Sequence, residues 1–159
     1  MAGLAHLGLG FALKLVAPEA PVVALVAGAE ALDILCLPAT LFRRGEAFVL
    51  AATHSLAASL VWSAAAMGIA AIAGADLRTV LVLGLAVFSH WILDFITHPM
   101  GAVIGKKPRK PAPPDLPLSF SAVSPKVGLG LYNHSFALSV VFDIGLTVAG
   151  VAAYVFRPF

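Results

Sequence analysis

The sequence predicts an all-α membrane protein, a polytopic bundle of about five helices of which four or five span the bilayer. Three observations predict it. Of 159 residues, 60% are hydrophobic and 11% charged, whereas soluble globular domains carry about 25% charge. The mean hydropathy is +0.98, too high for a core wrapped in a wet surface. The apolar residues come in unbroken runs of about twenty, the length a helix needs to cross hydrocarbon. A lone barrel strand needs only about ten alternating residues, and the Ala and Leu that dominate these runs favour helix. In hydrocarbon a helix satisfies its own backbone groups.

The first run, Ala2 to Ala17, carries His6 and Lys14 and is short for a span, so it reads as a partly embedded helix. Pro18-Glu19-Ala20-Pro21 breaks it, because proline cannot continue a helix interior. The second run extends from Val22 to Phe42 and stops at Arg43-Arg44-Gly45-Glu46. The third spans Ala47 to about Ala73, followed by the tight Gly74-Ala75-Asp76 connection. The fourth runs from Leu77 to His98 and the fifth from Val127 to Phe156. Between these two, residues 99–126 form a basic, Pro-rich loop within a single domain of residues 1–159. Its prolines favour an extended surface conformation.

Charge placement sets the orientation. Arg43, Arg44, Lys106, Lys107, Arg109, Lys110 and Lys126, seven of the ten Lys and Arg, fall on one side if the third and fourth runs both cross. The positive-inside rule makes that side cytoplasmic. A net charge of +2 argues against a nucleic-acid partner. Membrane lipids are the expected surroundings, and the basic loop suits anionic headgroups. The one cysteine, Cys36, sits in an apolar run, cannot form an intramolecular disulfide and reads as a small buried hydrophobe. No basic leader with a small-residue cleavage site opens the chain, so a cleaved signal peptide is not expected. Trp62 and Trp91 read as packing or interface anchors. Runs of small residues such as Ala64-Ala65-Ala66-Met67-Gly68 permit close helix packing, within the chain or in an oligomer.

The chemistry concentrates in the fourth run. His90, Asp94 and His98 follow an i, i+4, i+8 spacing, which confines them to about 80° of helix surface. Ionisable groups within a span are costly and usually mark a site. Imidazole and carboxylate suit zinc and related divalent metals. His90 and His98 are about 12 Å apart along the axis, so either two ions line the stripe or one member only supports the others. Glu30 and Asp33 on the second run, His54 opening the third, His6 on the first and His134 on the fifth are possible partners. Counted from the basic side, the five histidines, Asp33 and Asp94 fall in one slab, within about 14 Å of the surface. Glu30 and Asp143 count as deeper, at about 18 and 24 Å. The bland alternative throughout is an interhelical polar network.

At these residues the chain resembles the inner-membrane-associated family of metal-dependent hydrolases that includes a LexA-regulated membrane protein, distantly similar to zinc-dependent phospholipase C. The resemblance rests on Asp33 within Ala31-Leu32-Asp33-Ile34-Leu35, on Thr53-His54-Ser55-Leu56 and on the His90 to His98 motif. Asp115-Leu116-Pro117-Leu118 and Gly128-Leu129-Gly130-Leu131-Tyr132-Asn133 resemble segments of one branch. The second-helix acid departs from the family's Pro-Asp-x-Asp form, Met100 to Pro114 looks like an insertion, and Tyr132 stands where Trp is expected. The resemblance implies a small multi-pass protein of the bacterial inner membrane, with a divalent ion, zinc first. The residues and the resemblance together make Asp33, His54, His90, Asp94 and His98 the expected metal ligands, with Asp33 and Asp94 in catalytic roles; His6, outside those motifs, joins them by its place in the slab.

The expected function is therefore membrane-embedded, metal-dependent hydrolysis of a phosphoester or lipid-type substrate at the cytoplasmic side. The alternatives are proton or metal-ion transport, for which Asp143 would extend the polar path, and a non-catalytic scaffold. Interhelical polar contacts average only about 0.6 kcal/mol, which makes seven clustered ionisable groups excessive for a scaffold.

Overall fold

In the computed structural model, which describes residues 3–42, 49, 52–98, 100–101, 105–106 and 126–157, the first run folds as helix α1, Gly3–Ala12, with a 3-10 turn at Leu13–Leu15. Lys14 closes this end: its Nζ donates to the carbonyls of Pro18 and Ala20 at 2.5 and 2.6 Å. The ammonium thereby satisfies a turn that the prolines have stripped of backbone partners.

The second run, expected as one helix, folds as two. Helix α2, Val22–Ala29, starts directly after Pro21, and α3, Ala31–Phe42, follows a break at Glu30. Pro38 lies inside α3 and removes a further backbone donor. The third run contributes a helical turn at 52–54 and then helix α4, Leu56–Ile72. Ser55 separates them with an extended backbone, and its side chain accepts from the Ala58 amide at 3.1 Å. Trp62 Nε1 donates to the Ala52 carbonyl at 2.9 Å and ties the turn to α4.

The end of α4 is a left-handed stop. Gly74 has φ of +80°, its N–H bonds to the Ala71 carbonyl and that of Ala75 to Ala70, both at 3.0 Å. This pairing satisfies two helix-end carbonyls at once, and glycine is the residue that enters this conformation without steric cost. Asp76 then caps helix α5, Leu77–Thr97, accepting from the Thr79 amide at 3.1 Å and the Thr79 hydroxyl at 2.6 Å.

After α5 come three two-residue strands, β1 (Met100–Gly101), β2 (Gly105–Lys106) and β3 (Lys126–Val127), with β1 in the middle and both pairings antiparallel. The chain therefore returns beside the point where it left. The Leu129 amide donates to the Phe95 carbonyl at 2.8 Å, and Gly128, at φ +101°, lies so close to the end of α5 that a Cβ there would stand 2.5 Å from the His98 carbonyl oxygen. The fifth run is shorter as a long helix than expected. Val127 is in β3, residues Leu131–His134 form the short helix α6, and the long helix α7 is Phe136–Val155. Arg43, Arg44, Lys107, Arg109, Lys110 and Asp115-Leu116-Pro117-Leu118 lie outside the described residues.

Helix α5 is the hub, packed by α4 and α2, while α1 lies between α2 and α7. Its buried side carries Val80, Val82, Ala86, Val87 and Leu93; Leu81, Leu85 and Ile92 face outward. A small apolar core of Leu13, Ala17, Ala20, Leu25, Val82 and Ala86 closes one end. Among the described residues two helices, α5 and α7, are long and apolar enough to cross a bilayer. The outer faces are apolar, with Val23, Ile69, Ile72, Val141 and Phe156 all more than 60% exposed, a surface that only acyl chains or another apolar partner satisfies.

Candidate metal centre

The i, i+4 spacing of His90 and Asp94 does what helical geometry requires. Both side chains point into the bundle and are fully buried, and His98, one turn further, is partly buried. Asp94 forms the middle of the stripe, with Oδ2 3.9 Å from His90 Nε2 and Oδ1 3.4 Å from His98 Nδ1.

Three other elements meet this stripe. Helix α1 brings His6, fully buried, whose ring stacks on His90 with centroids 3.8 Å apart and planes within 4°. The turn at 52–54 brings His54, 1% exposed, with its ring edge-on to His90 at 5.2 Å. Helix α3 brings Asp33 in its first turn, with a side chain that keeps 44% of its surface accessible. Asp33 Oδ1 lies 3.0 Å from His54 Nε2 and 3.6 Å from His90 Nε2. Asp94 Oδ1 lies 3.8 Å from His6 Nε2, and Oδ2 lies 4.0 Å from His54 Nε2.

Two overlapping groups result, His6/His90/Asp94 and Asp33/His54/His90, each with its ligand atoms within 4.8 Å of one another. His98 is in neither group, although it touches Asp94. His134 is exposed on α6 and is also in neither group.

The chemistry of these donors fits a cation. A backbone carbonyl can only accept, so His90 Nδ1, 2.8 Å from the Ala29 carbonyl, carries the proton there. Ala29 is the last residue of α2, where carbonyls lack intrahelical donors. The break at Glu30, absent from the sequence expectation, thus supplies the group that orients His90. His90 Nε2 is left as a lone pair, buried and without a hydrogen-bond donor among the described residues, beside two carboxylates. Both ring nitrogens of His6 are likewise buried without a hydrogen-bond partner among the described residues. Unmatched buried polar atoms of this kind are costly, and a positive centre would draw the one lone pair that each neutral ring keeps. His90 belongs to both groups and has one such lone pair, so it can serve only one ion at a time.

Beyond the centre, a short relay of contacts runs to α7. The His98 ring meets the Tyr132 ring edge-on at 5.2 Å, and the Tyr132 hydroxyl donates to the Asp143 carboxylate. Burial, and then the adjacent Asp143 carboxylate, push the Tyr132 phenol well above its usual range, so it stays a donor. Asp143 is therefore shallower than its position in the run implied. Counted from Phe136, the true start of the helix, it lies only about 10 Å in. The count from Val127 fails because residues 127–135 do not belong to that helix. Thr53 and Thr97, which the sequence motifs contain without assigning them a role, and the Ala29 carbonyl each contact a site histidine. The repeated Thr-His dipeptide was the available signal for the first two.

The family model described as YdjM inner membrane protein matches residues 1–157. No curated protein and no solved structure matches the chain.

Proposed function

The chain belongs to the YdjM inner membrane protein family, and on that premise we propose that it is a membrane-embedded, metal-dependent hydrolase acting on a phosphoester or lipid-type substrate at the cytoplasmic side. One observation carries the reading: histidines and carboxylates from four separate elements converge in a buried centre where the His90 Nε2 lone pair faces carboxylates instead of a donor. Nothing in local folding requires that convergence, and a bundle held together by polar contacts alone would pair each acceptor with a donor.

His6, Asp33, His54, His90 and Asp94 would hold the ion, with zinc the best match to nitrogen and carboxylate donors. A divalent ion bound there supplies Lewis acidity and lowers the proton affinity of water in the site. The protein's own groups do the rest. Asp94, fully buried, holds the centre together by meeting His6, His54, His90 and His98. Asp33 is the accessible carboxylate and is the general base that takes a proton from attacking water at its outer oxygen. The basic segment from Lys106 to Lys110 would attract an anionic headgroup.

In this proposal the chain is multi-pass, with four or five crossings. Helices α5 and α7 are long and apolar enough to cross a bilayer. Helix α4 is about 26 Å long and gains length from the turn at 52–54, while α2 and α3 together make a broken crossing. Broken helices are tolerated at membrane depth where they line a site. Transport is less well supported, because Asp143, its deepest polar group in the sequence reading, is bonded to Tyr132 close to the centre.

Elemental analysis of the purified chain tests the proposal. We expect stoichiometric zinc or a related divalent metal in the wild type and its loss in Asp94→Ala and His90→Ala. Retention of metal in both variants would refute this centre.

A further inference from the structure

We propose that the two Thr-His dipeptides, Thr53-His54 and Thr97-His98, are a matched pair of tautomer locks, one making His54 a metal ligand through Nε2 and the other making His98 a holder of Asp94. The inference rests on the proposed metal centre and assigns roles to residues around it.

The same local device occurs twice. Thr53 Oγ1 donates to the Val49 carbonyl at 2.8 Å, and Thr97 Oγ1 donates to the Leu93 carbonyl at 2.7 Å. Each threonine thus bonds back to the carbonyl four residues earlier, a pattern threonine adopts in helices. A hydroxyl has one hydrogen, and in both cases a carbonyl has taken it. The threonine oxygen is left only as an acceptor. His54 Nδ1 lies 2.6 Å from Thr53 Oγ1, and His98 Nδ1 lies 2.8 Å from Thr97 Oγ1. Both Nδ1 atoms must therefore carry the proton.

The consequences differ because the rings sit on opposite sides of Asp94. For His54, a proton locked on Nδ1 leaves Nε2 as the nitrogen turned to the centre, where it is hydrogen-bonded to Asp33 Oδ1 at 3.0 Å and lies 4.0 Å from Asp94 Oδ2; a bound ion would take the place of the proton shared by Nε2 and Asp33. Locking the other nitrogen is how a protein orients a metal-binding histidine. For His98, Nδ1 itself is the atom facing the centre, 3.4 Å from Asp94 Oδ1. Its proton lies between Thr97 Oγ1 and the carboxylate, so His98 approaches Asp94 as a donor. A nitrogen that carries a proton cannot bind an ion, so His98 Nδ1 is not a ligand atom, and His98 lies outside both ligand groups. Of the two ways to read the His90/Asp94/His98 stripe, the structure assigns His98 to positioning.

Two measurements test the locks. The first is nitrogen NMR of histidine side chains in metal-free protein in detergent micelles. We expect a proton on Nδ1 of His54 and His98 in the wild type, loss of that preference at His54 in Thr53→Val, and its retention in Thr53→Ser. The second is zinc affinity by competition with a chromogenic chelator. We expect Thr53→Val to weaken binding about ten- to a hundred-fold, the usual cost of losing such a partner, and Thr53→Ser to restore it. His98→Ala should weaken binding similarly, while His98→Asn, whose amide nitrogen can replace the Nδ1 donor, should recover most of it. A wild-type His54 with a bare Nδ1, a Thr53→Val variant matching the wild type in tautomer and affinity, or His98→Asn binding as weakly as His98→Ala would each overturn the locks. Wild-type protein that shows the protonated Nδ1 atoms yet binds no zinc would uphold the locks and refute the metal centre.

Discussion

Single residues set the electrostatics at both ends of α5. At its C-terminal end Asp94 gathers four histidines. At the other end Asp76 accepts two hydrogen bonds from Thr79. The Thr79 hydroxyl, then the Thr79 amide, hold the Asp76 carboxyl below the usual carboxylate range. A carboxyl depressed by folding contributes stability above its unfolded value, near 4, and loses that contribution as pH falls through the folded value. We therefore expect Asp76→Ala to lower the thermal midpoint at pH 7, with the gap from the wild type closing on acidification below about pH 4. Melting curves across that range, followed by circular dichroism in detergent, check it. A gap that widens toward acid pH would contradict the cap.

Among the elements, the crossing of α1 on α7 decides whether His6 reaches the centre. The helices touch through glycine: a Cβ on Gly150 would stand 1.9 Å from the Gly8 carbonyl oxygen, and one on Gly8 would stand 2.4 Å from the Leu146 carbonyl oxygen. Backbone cannot yield as a flexible side chain does, so a larger residue must push α1 away. Overpacking of this kind typically costs about 1–3 kcal/mol. His6 lies only two residues from Gly8 and would move with it. Gly150→Val should therefore weaken metal binding although no ligand is altered, whereas Gly145→Ala, with nothing within 4 Å of its added Cβ, should leave binding unchanged. Metal titration of the two variants distinguishes a site assembled by helix packing from one built on α5 alone. The break between α2 and α3 works in the same way, since it places the Ala29 carbonyl at the end of a helix, where it can orient His90.

For the whole molecule, the apolar surface and the buried polar centre are two consequences of one solvent. Hydrocarbon outside the bundle leaves no water to satisfy stray polar groups, so the ionisable residues turn inward and Leu, Ile, Val and Phe turn outward. Val141 and Ile69, 68% and 70% exposed in the isolated chain, should face acyl chains. Cysteine placed at either position should resist a charged maleimide in intact vesicles and react with an apolar one; rapid labelling by the charged reagent would show those faces to be wet. The native Cys36 is buried, at 4% exposure, and should contribute little background.

Much of this architecture was legible without coordinates, for reasons that are local. Hydropathy depends on composition within a window, so the membrane setting and the helical runs follow from the chain itself. The stripe at His90, Asp94 and His98 follows from the helical repeat, and its sharing a depth with Asp33 and His54 follows from counting turns from a common side. Three things required the fold. The second run breaks at Glu30, where a helix end meets α5. Asp143 rises to the level of the centre because α7 begins at Phe136, after a segment tied to the end of α5. His6 stacks on His90 because glycines about 140 positions apart in sequence let α1 and α7 touch. Hydropathy and periodicity act over a few residues and carry no information about which helix faces which, whereas the proton on each imidazole is set by its nearest acceptor in space.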